Sequence, residues 1–194
     1  MLTVLLALGA GYLIGSFPSA YLAARVLGRN IFEVGSGNMG AMNTARNLGY
    51  GFGVGVLLFD VGKGALATYL GLLLSNDSSL LPAFVAGVGA VLGHAYPVWL
   101  GFKGGKALAT TLGTTLPLFP VVGLLGLGLL IVLILTTKRT PLSSVVTVVA
   151  YPVLLLLSVL WREPPAAQVA QSVACALVVA AVVTYKHLPE FGEG

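Results

Sequence analysis

Long apolar stretches separated by short polar segments dominate this sequence. A membrane-spanning helix needs about 20 mostly apolar residues. Seven stretches are candidates, at residues 2–24, 50–74, 80–99, 107–118, 120–137, 142–161 and 168–185. The fourth is the shortest, and Pro117 and Pro120 bracket the turn that follows it. The pattern predicts an all-α, polytopic membrane helix bundle with about seven transmembrane helices, folded as one domain over residues 1–194.

The first apolar stretch could be mistaken for a signal peptide. A signal peptide starts with a positively charged segment, whereas the first basic residues here, Arg25 and Arg29, follow the stretch. We therefore expect residues 2–24 to be a retained first span.

Composition narrows the class of protein. Hydrophobic residues make up 57% of the 194 residues and charged residues only 8%, whereas soluble domains carry about 25% charged residues. This balance excludes a disordered chain, a nucleic-acid-binding module and an ordinary cytosolic enzyme.

The distribution of charge predicts the orientation. Segments 25–49, 101–106 and 138–139 each carry an excess of Arg and Lys, whereas the intervening loops hold only Asp77 and the Arg162–Glu163 pair. Basic residues stay with cytoplasmic loops, and the three basic segments share one side only if 107–137 crosses twice. We expect the N-terminus outside and the C-terminus in the cytoplasm.

Small residues recur at four-residue spacing within the apolar stretches. The pairs are Gly11 with Gly15, Ala83 with Gly87, and Gly89 with Gly93. Such pairs let membrane helices approach closely, so we expect them to be packing positions.

The first polar cluster covers residues 35–46. It contains a G-x-G-x-x-G pattern, but no strand precedes it, so a dinucleotide-binding interpretation fails. Glycines let backbone amides converge on an anion, and an arginine offers a fork suited to phosphate. The candidate ligand-binding residues are Gly35, Ser36, Gly37, Asn38, Asn43 and Arg46. The alternative is a plain cytoplasmic turn.

The second polar cluster covers residues 93–110. Two lysines flank two glycines, so ammonium groups and backbone amides could reach one anion together, although the spacing is not that of a Walker A loop. The candidate residues are His94, Lys103, Gly104, Gly105 and Lys106. The alternative is that the lysines only meet lipid headgroups and that His94 is a hydrogen-bonding residue, not a base.

Three further ionisable residues stand near these clusters. Asp60 and Lys63 lie one turn apart in the second span, where charges are costly; they form either a structural ion pair or part of a polar site. His187 is a candidate ligand contact. The sequence shows no catalytic triad and no metal spacing, so we expect anion binding and electrostatic stabilisation without a nucleophile, metal or cofactor.

Both clusters resemble the motifs of the bacterial PlsY family, the integral-membrane acyl-phosphate:glycerol-3-phosphate acyltransferases. Residues 35–46 are similar to the family's first motif, and residues 93–110 (GHAYPVWLGFKGGKALAT) are similar to its second. The resemblance implies transfer of an acyl chain from acyl phosphate to the 1-hydroxyl of glycerol 3-phosphate, the first step of phospholipid synthesis. The products are lysophosphatidate and inorganic phosphate.

The resemblance also implies residue roles and surroundings. Ser36, Gly37 and Asn38 with residues 103–106 would hold the phosphates, Arg46 would pair with a substrate phosphate, and His94 would orient or assist. The donor's own phosphate would accept the proton. We expect a monomer in the bacterial inner membrane, in contact with membrane lipid, with its site facing the cytoplasm, near the enzyme that forms acyl phosphate, and without a nucleic-acid partner.

Four positions depart from the family pattern. Met42 stands where the family usually has Thr, and Ala107 where it usually has Gly. In the third motif, His187 is present, but Glu190 occupies the position of an Asn and the later Arg is missing.

Two alternatives to the enzyme remain open. One is a small anion or phosphate transporter, and the other is a non-catalytic or acceptor-altered paralogue.

Overall fold

The computed structural model describes residues 1–75, 79–160 and 166–191. Within these ranges the chain forms nine α-helices and three short 3₁₀ helices. The α-helices are α1 Leu2–Gly15, α2 Ser19–Val26, α3 Ala41–Leu48, α4 Tyr50–Leu73, α5 Leu81–Ala95, α6 Leu108–Thr115, α7 Pro120–Thr137, α8 Thr140–Leu160 and α9 Ala166–His187. The 3₁₀ helices are Ile31–Glu33, Val98–Leu100 and Leu188–Phe191. Asp77, Arg162 and Glu163 lie outside the described residues.

The predicted all-α membrane bundle is confirmed. Six of its helical segments are long and apolar enough to cross a membrane, and they match the predicted apolar stretches other than 107–118. Exposed large apolar side chains are numerous along them, as expected for helices that face lipid.

The first predicted span is present as the segment Leu2–Val26, and it is interrupted. Helix α1 ends at Gly15, and Pro18 occupies the N-cap of α2. Proline lacks an N–H group and disfavours helical geometry at the preceding residue. The break leaves the Phe17 carbonyl free to accept a hydrogen bond from Lys63 Nζ, at 3.0 Å.

The small-residue pairs are packing positions, as predicted. A Cβ added at Gly11 or Gly15 would collide with the backbone of Ala86 or Ala90. Because Gly11 meets Ala86 and Gly15, four residues later, meets Ala90, helices α1 and α5 run side by side in the same direction. The carboxyl ends of α1 and α5 therefore lie at one end of the bundle.

Two apolar clusters lie toward opposite ends of the bundle. One contains Val91, Ala95, Ala107, Val148 and Val183. The other contains Phe84, Phe119, Val122, Leu155 and Val159. Because Phe84 is near the start of α5 and Ala95 is its last residue, we call the end marked by Ala95 the loop end and the other the far end.

The segment between Ala107 and Phe119 passes from the loop end to the far end, although only Leu108–Thr115 is helical. Eight helical residues extend about 12 Å, which is too short to cross a membrane alone. The predicted count of seven spans fits this path and stays a prediction.

Candidate functional site

The first glycine loop, residues 35–40, is organised by one buried side chain. Asn43 Oδ1 accepts a hydrogen bond from the Ser36 N–H at 3.1 Å and from Asn47 Nδ2 at 2.9 Å. Asn43 Nδ2 donates to the carbonyls of Val34 at 3.1 Å and Asn38 at 3.0 Å. The amide can make about four such bonds, so Asn43, expected as a substrate ligand, is fully used in shaping the loop.

The loop's conformation leaves other groups available to a ligand. Gly35 and Gly37 adopt positive φ angles of 57° and 65°, which side-chain-bearing residues seldom adopt. Ser36 and Arg46 are exposed. Among the described residues, Arg46 has no hydrogen-bond or ion-pair partner. Arg46 therefore faces outward with a free guanidinium group, whereas the exposed Ser36 Oγ accepts a hydrogen bond from the Asn38 N–H at 3.4 Å.

The second glycine loop, residues 101–107, packs against the end of α5 and against the first glycine loop. A Cβ at Gly105 would lie 2.6 Å from the Met39 carbonyl oxygen and closer still to His94 Nε2. The Gly105 N–H donates to the His94 carbonyl at 3.1 Å. The two glycines were expected to offer bare amides to phosphate; the structure shows that the Gly105 amide is used within the protein.

Two lysines of the second cluster differ in their surroundings. Lys103 is exposed and has no ion-pair partner among the described residues. Lys106 is partly buried and forms an ion pair with Glu190. The tail, residues 186–191, therefore lies against the second glycine loop.

Lys186 lies at this site although it was not among the residues predicted from the sequence. Its Nζ donates to the carbonyls of Ala95 and Gly104, both at 3.2 Å, and lies 5.0 Å from the centre of the Tyr96 ring. A lysine at the end of an apolar span could have been recognised as a donor for such carbonyls. The last carbonyls of a helix such as α5 have no partner within the helix.

The two predicted histidines are both buried. His94 is 2% exposed, with Nδ1 3.5 Å from Asp60 Oδ1 and Nε2 directed at Gly105. His187 is 3% exposed, and its Nδ1 donates to the Val183 carbonyl at 2.7 Å. His94 lies beneath the second glycine loop, in a place suited to orienting it.

The two glycine loops and the tail thus converge through three contacts at the loop end. Met39 meets Gly105, Lys186 meets Gly104, and Lys106 meets Glu190. Three cationic side chains belong to these segments, Lys103, Lys106 and Lys186, and Arg46 lies on α3, which follows the first glycine loop. Such an arrangement can bind phosphate groups and stabilise negative charge.

An apolar groove of about 500 Å³ lies beside α2 and α4. Aromatic and aliphatic side chains of Phe17, Leu22, Phe52, Val56 and Phe59 line it, together with Gly51 and Gly55. Ser19 also lines the groove and donates to Asp60 at 2.8 Å. The groove thus comes within one hydrogen bond of the carboxylate that lies beside His94.

Comparison with known proteins places this chain among relatives over nearly its whole length. The family model described as glycerol-3-phosphate acyltransferase matches residues 5–193. A glycerol-3-phosphate acyltransferase of Synechococcus sp. (strain CC9902) is 46% identical over 180 residues, covering 92% of this chain and 87% of that protein. One from Prochlorococcus marinus (strain MIT 9313) is 42% identical over 184 residues, covering 94% and 87%.

The fold is similar to that of a solved membrane protein. The crystal structure of PlsY, an integral membrane glycerol 3-phosphate acyltransferase, in its glycerol 3-phosphate form has a TM-score of 0.84 and 30% identity, covering 97% of this chain and 90% of that one. Its lysophosphatidic acid form has the same TM-score, the same coverage and 28% identity.

Proposed function

The chain belongs to the glycerol-3-phosphate acyltransferase family, and from that premise we propose that it transfers an acyl chain from acyl phosphate to the 1-hydroxyl of sn-glycerol 3-phosphate. The products are lysophosphatidate and inorganic phosphate, in the first step of phospholipid synthesis. The observation that carries the proposal is the convergence of both glycine loops and the tail at the loop end. It brings the lysines of the second glycine loop and of the tail to the first glycine loop, at one end of a membrane-embedded bundle.

The reaction joins two phosphate-bearing substrates, which the site's charges suit. Lys103, Lys106 and Arg46 bind the phosphates, assisted by Ser36, Gly37 and Asn38 of the first glycine loop. The 1-hydroxyl oxygen attacks the acyl carbonyl, and the bond between the acyl carbon and the phosphate oxygen breaks. The departing phosphate takes the hydroxyl proton. Fixed positive groups stabilise the negative charge that develops.

The apolar groove beside α2 and α4 is the proposed seat of the donor's acyl chain. Its lining is apolar, it borders the membrane-embedded helices, and its Ser19 connects through Asp60 to the region of His94. Gly55 and Gly62 are both helical glycines of α4 with open space around their Cβ positions. Only Gly55 lines the groove.

This difference supplies a matched pair of variants for the acyl site. We expect Gly55→Leu to shift the preference toward shorter acyl phosphates, because the new side chain fills the groove. Gly62→Leu serves as the control and should leave chain-length preference unchanged. Equal chain-length profiles for the two variants would show that the acyl chain lies elsewhere.

The loop end is proposed to face the cytoplasm of a bacterial inner membrane. The support is the excess of Arg and Lys in segments 25–49, 101–106 and 138–139, since such residues remain cytoplasmic. A single cysteine at Lys138, in a chain lacking Cys175, should resist an impermeant thiol reagent in intact cells. Labelling from outside would reverse this orientation.

The transporter interpretation finds less support at the far end. A conduit for anions would continue as polar residues across the bundle. In the described residues the far end instead holds a cluster of apolar side chains that includes Phe84 and Phe119, whose rings stack at 6.3 Å.

The deciding experiment uses the purified chain in lipid nanodiscs with labelled glycerol 3-phosphate. We expect lysophosphatidate and phosphate from palmitoyl phosphate and none from palmitoyl-CoA. Activity with palmitoyl-CoA alone would contradict the proposed donor.

Variants of the cationic residues test the phosphate site in the same assay. Arg46→Ala should weaken the apparent affinity for glycerol 3-phosphate by roughly ten- to a hundredfold, and more than Arg46→Lys does, because a charged hydrogen bond contributes about 1.5–3 kcal/mol. Lys103→Ala and Lys106→Ala should lower activity more than Lys138→Ala.

A further inference from the structure

Asp60 is the centre of a buried polar network that the proposed reaction does not use. Its carboxylate is 1% exposed, halfway along α4. Oδ1 accepts a hydrogen bond from Ser19 Oγ at 2.8 Å and pairs with Lys63 Nζ at 2.8 Å. The same oxygen lies 3.5 Å from His94 Nδ1.

The network connects three segments of the chain. Lys63 Nζ also donates to the carbonyl of Phe17, at the break between α1 and α2. Ser19 belongs to α2, Asp60 and Lys63 to α4, and His94 to α5. These contacts fix the relative positions of the helices directly beneath the two glycine loops.

Stability alone is a poor reason for burying these charges. Ionisable residues within membrane spans are costly. A buried ion pair can often be replaced by apolar residues without loss of stability. Costly buried charges of this kind typically belong to functional sites.

His94 connects the network to the second glycine loop. The Asp60 carboxylate beside Nδ1 favours the proton on that nitrogen, which directs an unprotonated Nε2 toward Gly105. Gly105 is held between this nitrogen and the Met39 carbonyl, and its N–H donates to the His94 carbonyl. A rotation of the His94 ring would therefore displace the Gly104–Gly105 backbone.

We propose that Asp60 is a positioning residue for acyl transfer, acting through His94 to hold the second glycine loop against the first. The inference rests on the proposed function, and it gives Asp60 and His94 an indirect part in substrate binding. Held in this way, Lys103 and Lys106 keep the spacing that a phosphate requires. Asp60 itself touches no substrate.

The test compares the Michaelis constant for glycerol 3-phosphate in the purified full-length chain and its variants. Asp60→Asn keeps the side-chain size and the acceptor for Ser19 while removing the charge, and should raise that constant about tenfold. His94→Gln should raise it similarly. Because Asp60 acts through His94, combining both changes should raise it no further than His94→Gln alone. Effects that multiply in the double variant would overturn the proposal.

A purely structural role predicts a different result. Loss of folded protein lowers the maximal rate per milligram and leaves the Michaelis constant unchanged, so an unchanged constant in folded Asp60→Asn overturns the proposal. Thr68→Val is the matched control, because Thr68 is also buried in α4 and its hydroxyl has no hydrogen-bond partner among the described residues. It should leave the constant at the wild-type value.

Two further measurements keep the test decisive. If Asp60→Asn does not accumulate in the membrane, the charge-neutral pair Asp60→Asn with Lys63→Gln is judged by the same criterion. If the wild-type chain makes no lysophosphatidate, the proposed function fails. The positioning role is then judged by how far glycerol 3-phosphate raises the melting temperature. Equal increases in wild type and Asp60→Asn would overturn it.

Discussion

The two glycine loops at the loop end are held in place by different means. The first is shaped from within, by the amide of Asn43, whose bonding partners lie nine residues or fewer away along the chain. The second is held from outside, by His94 of α5, Met39 of the first loop and Lys186 of α9. A local turn can therefore present Ser36 to a substrate, whereas the geometry of the two lysines depends on the whole bundle.

The largest effect should come from filling the contact between the two loops. Gly105→Ala places a methyl group against the Met39 carbonyl and the His94 ring, and overpacking of this kind costs about 1–3 kcal/mol. We expect activity to fall about a hundredfold, measured as lysophosphatidate formed per folded molecule. Gly62→Ala is the control in open space, and an equal loss there would point to a general folding defect.

A smaller effect on activity should follow from removing the Asn43 amide, which organises the first loop. Asn43→Ala removes four hydrogen bonds inside the loop, each worth about 1 kcal/mol or less once water replaces the partner. We expect the Michaelis constant for glycerol 3-phosphate to rise roughly tenfold. Asn43→Asp keeps the acceptor bonds but turns a buried carboxylate oxygen toward the carbonyls of Val34 and Asn38, so it should raise the constant at least as much as Asn43→Ala. If Asn43→Asp were as active as wild type, the donor bonds would be irrelevant to the site.

The tail should modulate the second loop by a few fold. Glu190 pairs with Lys106 and so competes with a substrate phosphate for the same ammonium group. A partly exposed ion pair is worth about 0.2–1 kcal/mol, so Glu190→Asn should lower the Michaelis constant for glycerol 3-phosphate about two- to fivefold. Deletion after Lys186 should act in the same direction. Identical constants in all three proteins would mean that the tail takes no part in binding.

The smallest expected effect concerns the backbone of the second loop. Ala107 adopts a left-handed conformation with φ 61°, which costs a residue with a Cβ about 1 kcal/mol. Ala107→Gly should relieve this strain and raise the melting temperature slightly, with little change in activity. A lower melting temperature would show that the buried methyl group contributes more than the strain removes.

Much of the fold could be predicted from the sequence, because the membrane imposes the same local requirement on each span. Six apolar stretches became helical segments long enough to cross a membrane, and Gly11 with Gly15 packs closely as its spacing predicted. The break at Pro18 was missed, although proline is a local signal, because the apolar run around it is continuous. The only sequence signals for the shortness of α6 were Pro117 and Pro120, which bracket the turn after it.

The sequence by itself determined the membrane bundle, the two glycine loops and the residue types that suit phosphate, since these follow from hydrophobicity, backbone freedom and charge along short segments. Only the tertiary structure decided which of those residues share a site and which support it. The Asn43 side chain bonds within its own loop, Lys186 donates to the carbonyls of Ala95 in α5 and Gly104 in the second loop, and Lys106 pairs with Glu190. Such contacts join residues up to 91 positions apart, and a pairing over that distance depends on how helices pack, which no local pattern of residues encodes.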